Sequence, residues 1–295
     1  MPAFVGQDFV HPATDLYYQL ADDADLFPDL EVGRFPARGV EELTNMIDKT
    51  LASEWATTTP SWAANAAFLA STDNWDISEG THDYVIEHFT GPAGYNNLRF
   101  YSDKGASTEE VLDAVQNGLT LLTYSGHGAT TYWADGPKVT QTQVAELTNE
   151  LFPVVFSYAC VTGTYDLDES FAETWVRSAY GATAFWGASE NSYWDEDDIL
   201  EKAVYEGLFD GDAKSLPLSW MAAMTDFGKL AVWSHYGGED RSLKYMKSTT
   251  SWAIRDSPCS PGRRGRLTPS SPARSPKISS IFILTSPERP SLRSD

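Results

Sequence analysis

A chain of 295 residues with 42% hydrophobic and 13% aromatic content has ample material for a core and is long enough for one large domain or two. It carries 21 Lys/Arg against 42 Asp/Glu, a formal net charge of −21, which repels nucleic acid and anionic membrane surfaces and excludes both as partners. No run reaches the roughly 20 apolar residues of a membrane span, and no secretory leader opens this chain.

In chain order, residues 40–56 have helical spacing of Leu43, Met46, Ile47 and Leu51 behind an acidic start. Residues 66–70 form a short apolar strand closed by Ser71-Thr72-Asp73-Asn74. Ser107-Thr108-Glu109-Glu110 opens a helix to Asn117, with Ser107 or Thr108 as its cap. Residues 119–124 read as a buried strand ending in Ser125-Gly126-His127-Gly128, and residues 140–149 as a helix with Val144 and Leu147 on one face. A second buried strand over 152–159 ends at Cys160 beside the turn Val161-Thr162-Gly163. A helix over 169–180, a strand over 182–188 and a helix over 195–208 complete the body. This alternation predicts an α/β fold with a mostly parallel sheet flanked by helices.

Cys160 is the only cysteine before Cys259, so no disulfide framework of the secreted small-domain kind is expected. A cysteine at a strand end reads equally as a small buried hydrophobe, and a histidine between glycines as a turn residue. If the two strands are neighbours, however, a thiol and an imidazole emerge side by side at the carboxyl edge of the sheet, where open α/β sheets bind ligands. That is the geometry of a cysteine nucleophile with its base.

Four stretches carry a resemblance: Pro28-Asp29-Leu30-Glu31-Val32-Gly33-Arg34-Phe35, Tyr124-Ser125-Gly126-His127-Gly128, Ser157-Tyr158-Ala159-Cys160-Val161-Thr162-Gly163 and Ser170-Phe171-Ala172-Glu173. Over most of residues 1–246 the chain resembles the gingipain-type cysteine peptidases, family C25, whose catalytic domain is caspase-like. The resemblance implies an endopeptidase acting on polypeptides without a catalytic cofactor. It makes His127 and Cys160 the catalytic dyad, with the backbone amides of Gly128 and Cys160 as oxyanion donors. It also implies an acid against the histidine, for which Asp15 is the candidate, and a pocket for a basic side chain built from Asp25 and Trp194. Asp25 reads alternatively as part of an acidic turn with Asp22 and Asp23, able to hold a structural calcium ion through oxygen ligands.

After Met246 the pattern changes. Beyond residue 240 there are 11 Lys/Arg and 3 Asp/Glu, leaving the first 240 residues with 10 and 39. The dispersed acids of that body fit adaptation to high salt, where self-repulsion is screened. Residues 247–295 read as a Ser-, Pro- and Arg-rich disordered tail. Shifting the reading frame of permitted codons after Met246 restores a Tyr-Asn-Val-Leu-Gly-Asp-Pro-Arg-Leu like the close of the related domains, so a frameshift is the expected origin of the tail. Only fourteen residues precede Asp15, where relatives have a further strand and helix, so the reading expects a domain lacking its first elements and cut from a larger exported or cell-surface precursor. Two non-catalytic readings share the fold: an inactive fragment of such a peptidase, and an acidic or calcium-binding module.

Overall fold

The computed structural model describes residues 4–5, 13–21, 25–54, 64–209, 221–252 and 280–284. The elements in chain order are β1 (Phe4–Val5), β2 (Ala13–Thr14), α1 (Leu16–Gln19), β3 (Glu31–Phe35), α2 (Val40–Glu54), β4 (Asn65–Ala70), α3 (Trp75–Val85), β5 (Asn96–Tyr101), α4 (Thr108–Asn117) and β6 (Leu121–Ser125). They continue with β7 (Gly128–Ala129), β8 (Tyr132–Trp133), β9 (Val139–Thr140), α5 (Gln141–Ala145), β10 (Val154–Tyr158), α6 (Phe171–Arg177), β11 (Ala184–Ala188), α7 (Trp194–Phe209), α8 (Met221–Tyr236), α9 (Asp240–Ser248), β12 (Thr249–Trp252) and β13 (Ser280–Leu284).

The main sheet runs β13-β3-β12-β11-β10-β6-β4-β5. Its five strands β5-β4-β6-β10-β11 are parallel throughout. Each strand residue turns its side chain to the face opposite its neighbour's, so alternate positions feed two cores. On one face Ala67, Leu69, Leu122, Val155 and Phe185 meet α2, α4, α5 and α6 through Met46, Val115, Val144 and Trp175. On the other, Ala66, Phe68, Leu121, Phe156 and Trp186 meet α3, α7, α8 and α9 through Val85, Leu200, Met224 and Tyr245. Burial on both faces is why β4, β6, β10 and β11 read as nearly continuous apolar runs. The α/β, helix-flanked, mostly parallel sheet expected from the sequence is the fold observed.

Local chemistry sets the helix starts. Ser107, Thr140 and Ser170 each accept the amide three residues on, while Glu110, Gln143 and Glu173 return the bond, giving three capping boxes. The helix expected over 140–149 is only five residues long, and that expected over 169–180 covers seven. In the latter, Lys49 of α2 donates to the Val176 carbonyl in its last turn and to the Tyr180 carbonyl beyond it, each at 2.8 Å.

The expected boundary after Met246 does not coincide with a break in the fold. Helix α9 runs through Ser248, and β12 pairs antiparallel with β11 and parallel with β3. β13 adds in parallel to the outer side of β3. Backbone pairing needs no apolar run, so the polar Thr249-Thr250-Ser251 stretch gave no strand signal. Residues 253–279 and 285–295, including Cys259 and the Arg263-Arg264 cluster, lie outside the described residues.

The chain order around β4 positions the site. From β4 it crosses to β5 on one side and then returns to β6 on the other, so the loops after β4 and β6 leave the carboxyl edge in opposite directions. A crevice opens at such a switch point.

Candidate active site

β6 and β10 are adjacent and in register, with Ser125 opposite Tyr158. His127 and Cys160 each follow two residues later, so both emerge from the same level of the sheet edge. The Gly126 amide donates to the Tyr158 carbonyl at 3.3 Å, joining the two loops. Contact is closest at Gly128: a Cβ there would lie 2.7 Å from the Cys160 carbonyl oxygen and 2.9 Å from the side chains of Ala159 and Thr162. Only glycine admits this approach. Beyond Cys160, Val161 has φ +52°, a costly region for a β-branched residue. That turn is held because Val161 and Gly163 donate to the carbonyls of Glu190 and Ala188 at 3.1 and 2.8 Å. The Cys160 thiol is partly exposed and donates to the Ser192 carbonyl at 3.7 Å.

The acid on His127 is Asp73. His127 Nε2 lies 2.8 Å from Asp73 Oδ2, and the imidazole edge meets the Trp194 ring at 5.5 Å and 82°. A proton on Nε2 shared with Asp73 leaves Nδ1 free for transfer to or from a reacting group. Both side chains are half exposed, at 50% and 59%.

Asp15, expected in that role, is engaged elsewhere. Its two carboxylate oxygens take Arg34 Nε and Nη2 in a bidentate pair, each at 2.5 Å, and Tyr165 donates to Oδ1 at 3.2 Å. Arg34 and Asp15 are both nearly fully buried, and the Tyr165 ring covers the guanidinium at 4.3 Å. A buried guanidinium needs a full counter-charge, which fixes Asp15 as its structural partner. Arg34 was the missing signal: an arginine in an otherwise buried strand demands a nearby acid.

Trp194 does reach the site, through His127, whereas Asp25 sits in an exposed turn and accepts the Phe27 amide at 2.8 Å. Phe27 packs edge-on to Trp233 of α8 at 5.4 Å. Asp22 and Asp23, the other members of the expected calcium turn, lie outside the described residues. Among the described residues no three His, Cys, Asp or Glu side chains form a group that could hold a metal ion.

An acid that sequence reasoning missed lies close to Trp194. Asp197 is one turn further along α7, buried, and accepts the Tyr245 hydroxyl at 2.9 Å. The Ser192 side chain also hydrogen-bonds it, while the Ser192 carbonyl holds the Cys160 thiol. Desolvation pushes the Asp197 carboxyl up to about 7, with Glu196 and Glu201 adding to the rise and the bonds from Ser192 and Tyr245 opposing it.

Two amides near the site lack a ladder partner. The Ala134 amide donates to the His127 carbonyl at 2.8 Å, so the next pair of that ladder, Gly128 opposite Trp133, is not hydrogen-bonded. The Gly128 N–H therefore points away from β8. The Cys160 N–H follows the end of β10 and has no backbone acceptor among the described residues.

Comparison with known proteins identifies the family. The chain is 38% identical to a Lys-gingipain of Porphyromonas gingivalis over 192 residues, covering 62% of this chain and 11% of the relative. To gingipain R2 of the same organism it is 30% identical over 162 residues, covering 52% and 22%. The chain thus spans about a tenth of the length of the Lys-gingipain. A solved structure described as a protease superposes with TM-score 0.73 at 25% identity, covering 84% of this chain and 60% of that one. The crystal structure of the Arg-specific cysteine proteinase gingipain R gives 0.71 at 24%, covering 83% and 59%. The sequence signature of Peptidase family C25 matches residues 2–252, so the chain belongs to peptidase family C25.

Proposed function

We propose that this chain is a cysteine endopeptidase in which Cys160 is the nucleophile and His127 the acid–base group. The observation that carries the reading is the register of β6 and β10, which brings the two loops together, with Asp73 on Nε2 of the imidazole. Cys160 gives its proton to His127 Nδ1, and Sγ attacks the scissile carbonyl. The carbonyl oxygen, now negative, takes the N–H groups of Gly128 and Cys160. His127 then protonates the leaving amine, producing a thioester, and removes a proton from the water that hydrolyses it.

A basic residue before the scissile bond suits the site. Trp194 offers a ring face to a cationic stem, and Asp197, rather than Asp25, is the buried carboxylate within reach of the same loop. Lysine and arginine appear in the names of the relatives. A structural calcium ion at the Asp22–Asp25 turn, a high-salt setting for the acidic surface and export within a larger precursor complete the proposal; each rests on composition and resemblance.

The test is labelling with a thiol-reactive peptidyl probe carrying Lys or Arg, together with hydrolysis of the matching fluorogenic peptides. Labelling of the native chain and its loss in Cys160→Ala and in His127→Ala, both still folded, is expected. Labelling that ignores His127 refutes the dyad.

A further inference from the structure

The His127–Asp73 pair cannot hold itself in place. Both side chains are half exposed, and an ion pair or hydrogen bond in such a setting contributes little and moves freely. Something in the backbone beneath must fix the distance between the loop after β4 and the loop after β6.

Three buried or half-buried groups do this. The Asp73 amide donates to Ser71 Oγ at 3.0 Å, and Ser71 Oγ donates to Asp135 Oδ2 at 2.8 Å. The other Asp135 oxygen lies 3.4 Å from the Tyr124 hydroxyl, which donates to the His127 carbonyl at 2.6 Å. Tyr124 gives its one proton to the His127 carbonyl, so it meets Asp135 by contact, and the path runs from the backbone of Asp73 through Ser71, Asp135 and Tyr124 to the backbone of His127. Ser71 and Tyr124 are fully buried, so these bonds are protected from water in a way that the His127–Asp73 bond is not.

Close packing converges on the same point. A Cβ on Gly126 would lie 2.6 Å from the Tyr124 hydroxyl and 3.0 Å from Ser71 Cβ. One on Gly136 would lie 2.8 Å from the Ser71 amide nitrogen and 2.9 Å from Tyr124 Cε2. Two glycines thus allow the His127 loop and the Asp135 loop to close on one serine and one tyrosine.

We infer that Ser71, Tyr124 and Asp135 are positioning residues, which set the Asp73 carboxylate against His127 Nε2 and so keep Nδ1 as the nitrogen that exchanges protons with Cys160. They act through the two loops and touch neither substrate nor the reacting atoms. The assignment rests on the peptidase reading for its kinetic consequence, but its structural content can be read without turnover.

The test uses Ser71→Ala and Tyr124→Phe, which remove one hydroxyl each and change no charge. In the full chain with 15N-labelled histidine, the five imidazoles are resolved at alkaline pH and the His127 signals assigned with His127→Gln. The native chain is expected to show the Nε2–H tautomer alone, and each variant a mixture of both tautomers. Turnover of a Lys or Arg peptide should fall ~10-fold or more in kcat with KM little changed, as a misplaced acid–base group requires. A single native tautomer with native kcat in both variants overturns the inference. If the native chain hydrolyses no peptide, the peptidase reading fails while the tautomer spectra still decide the path.

Discussion

Replacing Asp197 by asparagine is expected to stabilise the folded chain at neutral pH while removing its response to basic substrates. An acid whose folded pKa is raised binds more protons folded than unfolded, so its presence costs stability as pH rises from its ordinary value to the folded one. For Asp197 that window runs from 3.8 to about 7. A shift of this size corresponds to about 4 kcal/mol at pH above 7, and to less than half of that at pH 5. Asparagine keeps an acceptor for Tyr245 and has no charge to desolvate. Urea unfolding of both proteins at pH 5 and pH 8 should therefore show the variant's advantage growing by about 2–3 kcal/mol. An advantage that does not change with pH refutes the reasoning. The same window governs substrate: a cationic side chain selects the ionised carboxylate, so kcat/KM for Lys or Arg peptides should rise through pH ~7 in the native chain and lose that rise in the variant.

Gly128→Ala forces a methyl to within 2.7 Å of the Cys160 carbonyl oxygen; denaturation should show a loss of about 1–3 kcal/mol, and displacement of the loop a loss of ~10²-fold in kcat/KM. Asp73→Asn and Asp15→Ala should separate cleanly. The first sits at the surface and should lower kcat ~10-fold or more, with unfolding changed by less than about 1 kcal/mol. The second strands a buried guanidinium and should cost about 3–5 kcal/mol in unfolding. Equal effects of the two on stability would contradict the placing of Asp15 as the buried partner of Arg34, and an unchanged kcat in Asp73→Asn would contradict Asp73 as the partner of His127.

Cys160 and His127 were legible because each ends an apolar strand in a glycine-marked turn. Asp73 was not, since Ser71-Thr72-Asp73-Asn74 reads as ordinary turn punctuation and its role depends on β4 lying beside β6. Strand order is a long-range fact that no local pattern carries. Helix α3 escaped for a different reason. Its buried face is Ser78, Glu79, Thr81, His82 and Val85, and His82 there bridges Glu201 of α7 and the Leu69 carbonyl at 2.7 and 2.9 Å. A helix packed through polar side chains shows no apolar stripe. β5 is an edge strand with one buried residue, Tyr101, and edge positions weaken the apolar signal in the same way. Asp15 misled because an acid-rich chain offers many carboxylates, and only the buried arginine distinguishes the one it needs.

The place of β12 also dictates the order in which the molecule can be assembled. Among the described residues β3, which carries Arg34, joins the strands before Cys160 and His127 in the sheet through β12, whose residues are translated after both of those loops. Strands β4 to β11 can pair as they emerge from the ribosome, whereas β3 must wait for a partner from the far end of the chain. Ribosome-bound chains arrested before Thr249 should accordingly expose the segment around β3 to protease, and chains arrested well past Trp252 should protect it. A domain built this way completes the loop that carries Cys160 early in synthesis and its sheet last.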